Sequence, residues 1–165
     1  MKCSNYVLSL GSNIGKKKHN INEALSFMAK AGMEVEKTSS FYRTSPVDRA
    51  DQPDFVNRSV VIESSLMPED MLGKIKDIEK EMGRVSVFDK GPRIIDIDII
   101  FWGGGNYKSS DLSIPHKRWN RRLFVLKPTG EVLKDLNCFS EESSEIKNIL
   151  SEKSEIFEEQ RVEKA

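Results

Sequence analysis

The run Gly91-Pro92-Arg93-Ile94-Ile95-Asp96-Ile97-Asp98-Ile99-Ile100-Phe101-Trp102 constrains the chain more than any other segment. Isoleucine is stiff at χ1, crowds a helix and fits a pleated surface, so the run is predicted to be a strand. Residues i and i+2 of a strand share a face about 6.6 Å apart, so Asp96 and Asp98 point the same way while Ile95, Ile97 and Ile99 form the core side. Two like charges on a half-buried face raise each other's pKa unless a cation lies between them, and carboxylate oxygens suit Mg²⁺ or Mn²⁺. The strand alone leaves two readings open: a metal site, or the solvated polar face of an antiparallel edge strand.

Neighbouring residues bear on that choice. Arg84 and Arg93 flank a loop that opens onto the Asp pair, and arginine grips phosphate bidentately. Downstream, His116, Lys117, Arg118, Arg121 and Arg122 crowd the stretch that follows Ser113-Ile114-Pro115. Lys plus Arg equals Asp plus Glu at 26 each, so this clustering is local. Neither nucleic acid nor an anionic membrane is implied as the main partner. A sheet-based RNA-binding module would interleave aromatic and basic residues on adjacent strands, and this chain does not. The chain has no Gly-x-x-x-x-Gly-Lys-Ser/Thr motif, which argues against a P-loop kinase.

At 165 residues the chain fits one domain, 1–165, in which about 140–165 is expected to be a weakly docked tail of Ser/Glu-rich sequence. Cys3 and Cys138 lie far apart without C-x-x-C spacing, and are read as reduced structural thiols in a reducing compartment. The apolar runs are short and interrupted, so a soluble, cytoplasmic, monomeric protein acting on small molecules is expected.

Periodicity gives alternating elements. Tyr6–Leu10 reads as a strand ending at a Gly11-Ser12-Asn13 turn. Asn20 and Glu23 suggest a capping box for a helix with Ile21, Ala24, Leu25, Met28 and Ala29 as its stripe and Gly32 as its stop. Glu34–Tyr42 and Phe55–Ser64 read as strands. Pro68-Glu69-Asp70 opens a second helix, with Met71, Leu72, Ile75, Ile78 and Met82 buried and Gly83 as its stop. Strands outnumber helices, which suggests an α+β layer fold with a largely antiparallel or mixed sheet and helices on its faces.

Four blocks resemble the 6-hydroxymethyl-7,8-dihydropterin pyrophosphokinases of folate biosynthesis, in order and spacing, over roughly residues 5 to 130. They are Leu8-Ser9-Leu10-Gly11-Ser12-Asn13; Ser39 to Pro46 continuing through Asp51 to Asn57; Gly91-Pro92-Arg93 with Asp96 and Asp98; and Pro115-His116 followed by Arg122 and Phe124-Val125-Leu126. The resemblance implies a ferredoxin-like sandwich and a reaction in which ATP, as co-substrate, gives its β,γ-pyrophosphoryl unit to a reduced pterin and leaves as AMP. It implies two Mg²⁺ ions held by Asp96 and Asp98, with Arg84, Arg93, His116 and Arg122 on the triphosphate. Adenosine is expected against Ile99 and Leu112, with Ser113 near the ribose. The pterin is expected between Phe55 and Phe124, with Thr44, Ser45, Val47 and Asn57 completing its pocket. This chain has Phe55 where tyrosine is common, Ser45 where proline is common, and Ser86, Phe88, Asp89 and Lys90 in a loop that often carries further arginine. Two loops, Arg43–Asp54 and Val85–Arg93, are expected to close over the substrates.

Overall fold

A computed structural model describes residues 3–45, 51–83, 93–152, 157 and 160–165. Its central strand is β1 (Asn5–Ser12), flanked by β4 (Phe55–Glu63) and β5 (Asp96–Trp102), both antiparallel to it. Next to β4 run β2 (Glu34–Thr38) and β3 (Tyr42–Thr44), and β8 (Val162–Lys164) adds to the far side of β3. The sheet order is β5-β1-β4-β3-β8 with β2 also on β4, every pairing antiparallel, and β5 is therefore an edge. A short hairpin, β6 (Tyr107–Lys108) with β7 (Ser113–Ile114), follows it.

Strand alternation sorts the core onto two faces. Tyr6, Leu8 and Leu10 of β1, Val60 and Ile62 of β4, and Ile95, Ile97 and Ile99 pack on one side against α1 (Lys17–Lys30) and α2 (Pro68–Glu81). Val7, Val61, Ile100 and Phe101 pack on the other against α3 (Leu123–Leu133) and α4 (Ser140–Ser151). Helices on both faces of an antiparallel sheet make an α+β sandwich of ferredoxin-like type, as the family resemblance implies. A bulge between Val7 and Leu8 skips Ile100 and turns both Ile100 and Phe101 toward α3.

The α2 start and stop match the structure, Pro68 lying in the first turn with Glu69 and Asp70 and Gly83 following at φ 79°, while Leu72 and Met82, expected to be buried, are half-buried. Other elements depart from the sequence reading, β1 among them, since it runs on through Gly11 and Ser12. Helix α1 begins at Lys17, so Asn20 is inside it, and its amide donates to the Ile14 carbonyl (2.9 Å) and Ser12 Oγ (3.1 Å), tying the helix to the end of β1 instead of capping it. Ala29 is exposed, because the stripe narrows to Ile21, Ala24 and Met28. The expected strand Glu34–Tyr42 breaks between β2 and β3, where Ser39 Oγ accepts the Ser59 N–H (3.0 Å) in place of a straight ladder.

The stretch expected to be a weakly docked tail supplies α4, with Ile146 buried under the sheet, and β8, paired along β3. Cys3 and Cys138 are joined as a disulfide with their Cα atoms 6.3 Å apart, so the expectation of two reduced thiols is corrected. The pair staples the start of β1 to the turn before α4. Among the described residues no helix is long and apolar enough to cross a membrane.

Candidate active site

The face of the sheet that carries α3 changes character along its strands. Under α3 it is largely apolar, with Ser59 Oγ 2.9 Å from Thr129 Oγ1 of that helix; further along, the same face presents Ser9, Gly11, Asn57, Asp96 and Asp98. Cross-strand register makes this one patch: Asp98 lies opposite Ser9, and Asp96 lies opposite Gly11, which lies opposite Asn57 on its other side. The Asp pair thus shares a face, as the i, i+2 spacing predicts, and that face belongs to an edge strand.

Each carboxylate has distinct surroundings. Asp96 Oδ2 accepts from Arg93 Nη1 at 3.1 Å. Arg93 is itself held by Asn13, whose Oδ1 accepts the Arg93 N–H (2.6 Å) and whose N–H donates to the Arg93 carbonyl (3.1 Å). Arg93 Nε is buried and meets no acceptor among the described residues. Burial, and after it the Asp96 charge, push the Asp98 carboxyl up to about 7, Glu79 adding to the rise while Arg122 and Arg93 oppose it. Glu79, 6 % exposed on α2, reaches round the sheet edge, and its Oε2 accepts the Ile97 N–H at 3.1 Å, midway between the two aspartates.

A cleft of about 490 Å³ opens here. It brings together Asp96, Asp98, Ile99, Leu112, Ser113, His116 and Arg122 from the sequence expectations and adds Glu79, Lys76 and Arg118. His116 follows a cis Ile114–Pro115 bond, and its backbone N–H donates to the Ile100 carbonyl (3.1 Å), fixing the turn against β5. Its Nδ1 accepts the Arg118 N–H at 3.1 Å. Burial first, then the Arg122 and Arg118 charges, lower its pKa to about 4 against the pull of Asp96, so the ring is neutral at pH 7. With Nδ1 an acceptor, the ring proton belongs on Nε2. His116 therefore offers a neutral donor.

The residues expected around a pterin lie on the same sheet face, further along the register. Asn57, 3 % exposed, donates from Nδ2 to Thr44 Oγ1 at 2.8 Å. Gly11, opposite Asn57 on β1, is required by contact, since a Cβ there would sit 2.6 Å from Asn57 Oδ1 and 3.5 Å from Phe55 Cδ1. Phe55 and Phe124 are both half-buried, and the Arg122 guanidinium lies 5.4 Å from the Phe124 ring centre. Ser45 is instead tied to the far strand: its N–H donates to the Arg161 carbonyl (3.2 Å), and its Oγ accepts the Arg161 N–H (3.4 Å). Val47, Arg84, the 86–90 departures, residues 46–50 of the first expected closing loop and residues 85–92 of the second lie outside the described residues.

Glu79, Gly11 and Asn13 were missed as site residues. Glu79 left a trace in the sequence, a carboxylate one position after Ile78 on the face of α2 that carries Ile75. Asn13 and Gly11 sat inside a block read as a turn, and only the register shows what they touch. Among the described residues no group of three or more His, Cys, Asp or Glu is arranged to hold a metal.

Fold and cleft together define an α+β domain with an acidic pair, arginines and a neutral histidine at the edge of an antiparallel sheet. The sequence model of the 7,8-dihydro-6-hydroxymethylpterin-pyrophosphokinase (HPPK) family matches residues 7–134, and the chain belongs to that family. It is 39% identical over 126 residues to the 2-amino-4-hydroxy-6-hydroxymethyldihydropteridine pyrophosphokinase of Bacillus subtilis, covering 76% of this chain and 75% of that one. It is 42% identical over 127 residues to the mitochondrial folate synthesis bifunctional protein of Pisum sativum, covering 77% of this chain but only 25% of the pea protein. A crystal structure of an HPPK-DHPS in complex with substrates shares the fold, with a TM-score of 0.63 at 15% identity over 89% of this chain and 43% of that one.

Proposed function

We propose that this chain transfers the β,γ-pyrophosphoryl unit of ATP to the hydroxymethyl oxygen of 6-hydroxymethyl-7,8-dihydropterin in folate biosynthesis, releasing AMP. The observation that carries the reading is the Asp96/Asp98 pair on an edge strand beside Arg93, Arg122 and a neutral His116, in a chain of this family. Such a transfer needs positioning and charge neutralisation more than covalent help.

The donor set fits Mg²⁺, as two ions. Asp96 and Asp98 are all-oxygen ligands, and a carboxyl pushed up to about 7 by burial and its neighbour is a charge that a cation would stabilise. Mg²⁺ is commonly held by one or two carboxylates with substrate phosphates filling the remaining positions, consistent with a protein that supplies only this pair. When bound, the metal neutralises phosphate oxygens and eases loss of the attacking hydroxyl proton. The chain's own residues do the rest. Arg93, whose Nε faces no acceptor among the described residues, and Arg122 complement phosphate, and His116 donates from Nε2. Ile99 and Leu112 give an apolar wall for adenine, with Ser113 at the ribose. Phe55 and Phe124 offer ring faces to the pterin, while Asn57 and Thr44 read its edge. Arg84 and Val47 belong to the same proposal.

A cytoplasmic, monomeric enzyme working on small molecules completes the reading; the singly named Bacillus relative, three quarters of which this chain covers, supports action without a fused partner. The test is product identity. AMP formed from ATP and Mg²⁺ only when the pterin is present supports the proposal, and ADP formation or pterin-independent turnover overturns it.

A further inference from the structure

Residues 160–165 lie beyond the 7–134 stretch that the family model matches, yet they touch both sides of the proposed pterin slot. On one side the chain pairs with β3, which carries Thr44: Val162 opposes Thr44, the Arg161 carbonyl accepts the Ser45 N–H (3.2 Å), and the Ala165 N–H donates to the Phe41 carbonyl (2.9 Å). On the other side it grips the start of α3. Gln160 Oε1 accepts the Leu123 N–H at 2.8 Å, and Gln160 Nε2 donates to the Arg121 carbonyl at 2.8 Å. Lys127 Nζ adds a bond to the Val162 carbonyl at 3.2 Å.

The residue between the two clamped positions is Arg122, and the one after them is Phe124. Arg122 has extended backbone, φ −117° and ψ 108°, and begins the helix without a side-chain cap of its own. Its carbonyl accepts the N–H groups of Val125 (3.0 Å) and Leu126 (2.9 Å). The first N–H groups of a helix have no partner within it, and an uncapped first turn frays. Gln160 satisfies one of those donors and the preceding carbonyl together, so the peptide units on both sides of Arg122 are fixed by one side chain. Arg122 and Phe124 leave that locked turn next to each other, 5.4 Å from guanidinium to ring centre.

We propose that Gln160 is a positioning residue: its amide locks residues 121–123, and through them sets the Arg122 guanidinium and the Phe124 ring against phosphate and pterin, while β8 holds the opposite wall. The proposal rests on the pyrophosphokinase reading. A slack of about 1 Å at a positioned group can lower turnover by about a hundredfold.

The experiment compares full-length wild type, Gln160→Ala and Gln160→Glu for pterin KM, ATP KM, kcat and thermal midpoint. In Gln160→Ala, pterin KM should rise and kcat fall, together lowering kcat/KM for the pterin by at least about tenfold, with a thermal midpoint close to wild type. Gln160→Glu keeps the acceptor for Leu123 and loses the donor to Arg121, so it should fall between the two. A merely structural role would instead lower the midpoint and the active fraction and leave both KM values unchanged. Folded Gln160→Ala with wild-type constants overturns the proposal, as does Gln160→Glu with wild-type constants if the alanine variant does not fold, or failure of both to fold. A wild-type chain that forms no AMP removes the function reading itself, a result separable from unequal variants of a working enzyme.

Discussion

The two faces of the sheet are built from the same strands and follow opposite rules. Toward α1 and α2, β1 presents Tyr6, Leu8 and Leu10 and β5 presents Ile97 and Ile99, apolar until Ser12 at the end of β1 meets Asn20 of α1. Toward α3, β1 presents Val7, then Ser9, then Gly11, and β5 presents Phe101, then Asp98, then Asp96. The change begins under α3, where Ser59 meets Thr129, and beyond the start of that helix the strands present groups proposed to bind instead of groups that pack. One face stabilises the domain over its whole length, whereas the other divides its length between stability and chemistry.

The sharpest way to break this contrast is at the polar end. Asp98→Ala should cut pyrophosphoryl transfer by about 10³-fold while leaving thermal unfolding near wild type, because it removes charge stabilisation and no packing. Near-normal turnover would sink the assignment. On the apolar face Ile62→Ala should do the reverse, lowering stability by about 3 kcal/mol through lost burial and a cavity, with pterin and ATP KM unchanged. Denaturant titration beside steady-state kinetics checks both arms.

Gly11 sits on the boundary and should give a smaller, selective effect. Gly11→Ala drives a Cβ to within 2.6 Å of Asn57 Oδ1, so the Asn57–Thr44 bond must shift. Pterin affinity should fall by about 1–3 kcal/mol with ATP affinity little changed. Equal loss of both in a calorimetric titration would mean that the strand pair itself had moved.

The smallest effect belongs to Glu131 on α3, on the covered side of the boundary. Burial raises its carboxyl, but hydrogen bonds from Tyr42 Oη, the Ser40 N–H and Ser40 Oγ outweigh that and hold it below the usual carboxylate range. A carboxylate with a depressed folded-state pKa contributes stability above its unfolded pKa and loses it as pH falls through the folded one. Stability should therefore decline below about pH 4.5, and Glu131→Gln should flatten that acid limb slightly, the site being partly exposed. Denaturation midpoints between pH 6 and 3 that run parallel in the two proteins would remove Glu131 from the account.

What the residues disclosed follows the same division. Helix α2 was legible because it is amphipathic and begins with proline and acids. Asp96 and Asp98 were legible because period two is a local property of a strand. Helix α3 was not: Leu123, Val125, Leu126, Pro128, Thr129, Val132 and Leu133 are all buried, which spreads apolar residues round the helix, and Pro128 reads as a breaker. Helix α4 hid in Ser/Glu-rich sequence because one buried anchor, Ile146, is too little to set a period. Glu79, Gln160 and the Cys3–Cys138 pair were illegible as partners because each acts across a sequence gap that only the finished fold closes.

The open edge of β5 also bears on how these molecules behave in a crowd. A bare strand edge invites another strand, and such edges seed aggregates unless they are blocked. Here Glu79 already accepts the Ile97 N–H and the His116 N–H already occupies the Ile100 carbonyl. A docking strand would find two of its hydrogen bonds taken and two aspartates beside them. Colliding copies meet like charge along this edge of the sheet, so the groups proposed to handle a nucleotide also disfavour strand pairing at β5.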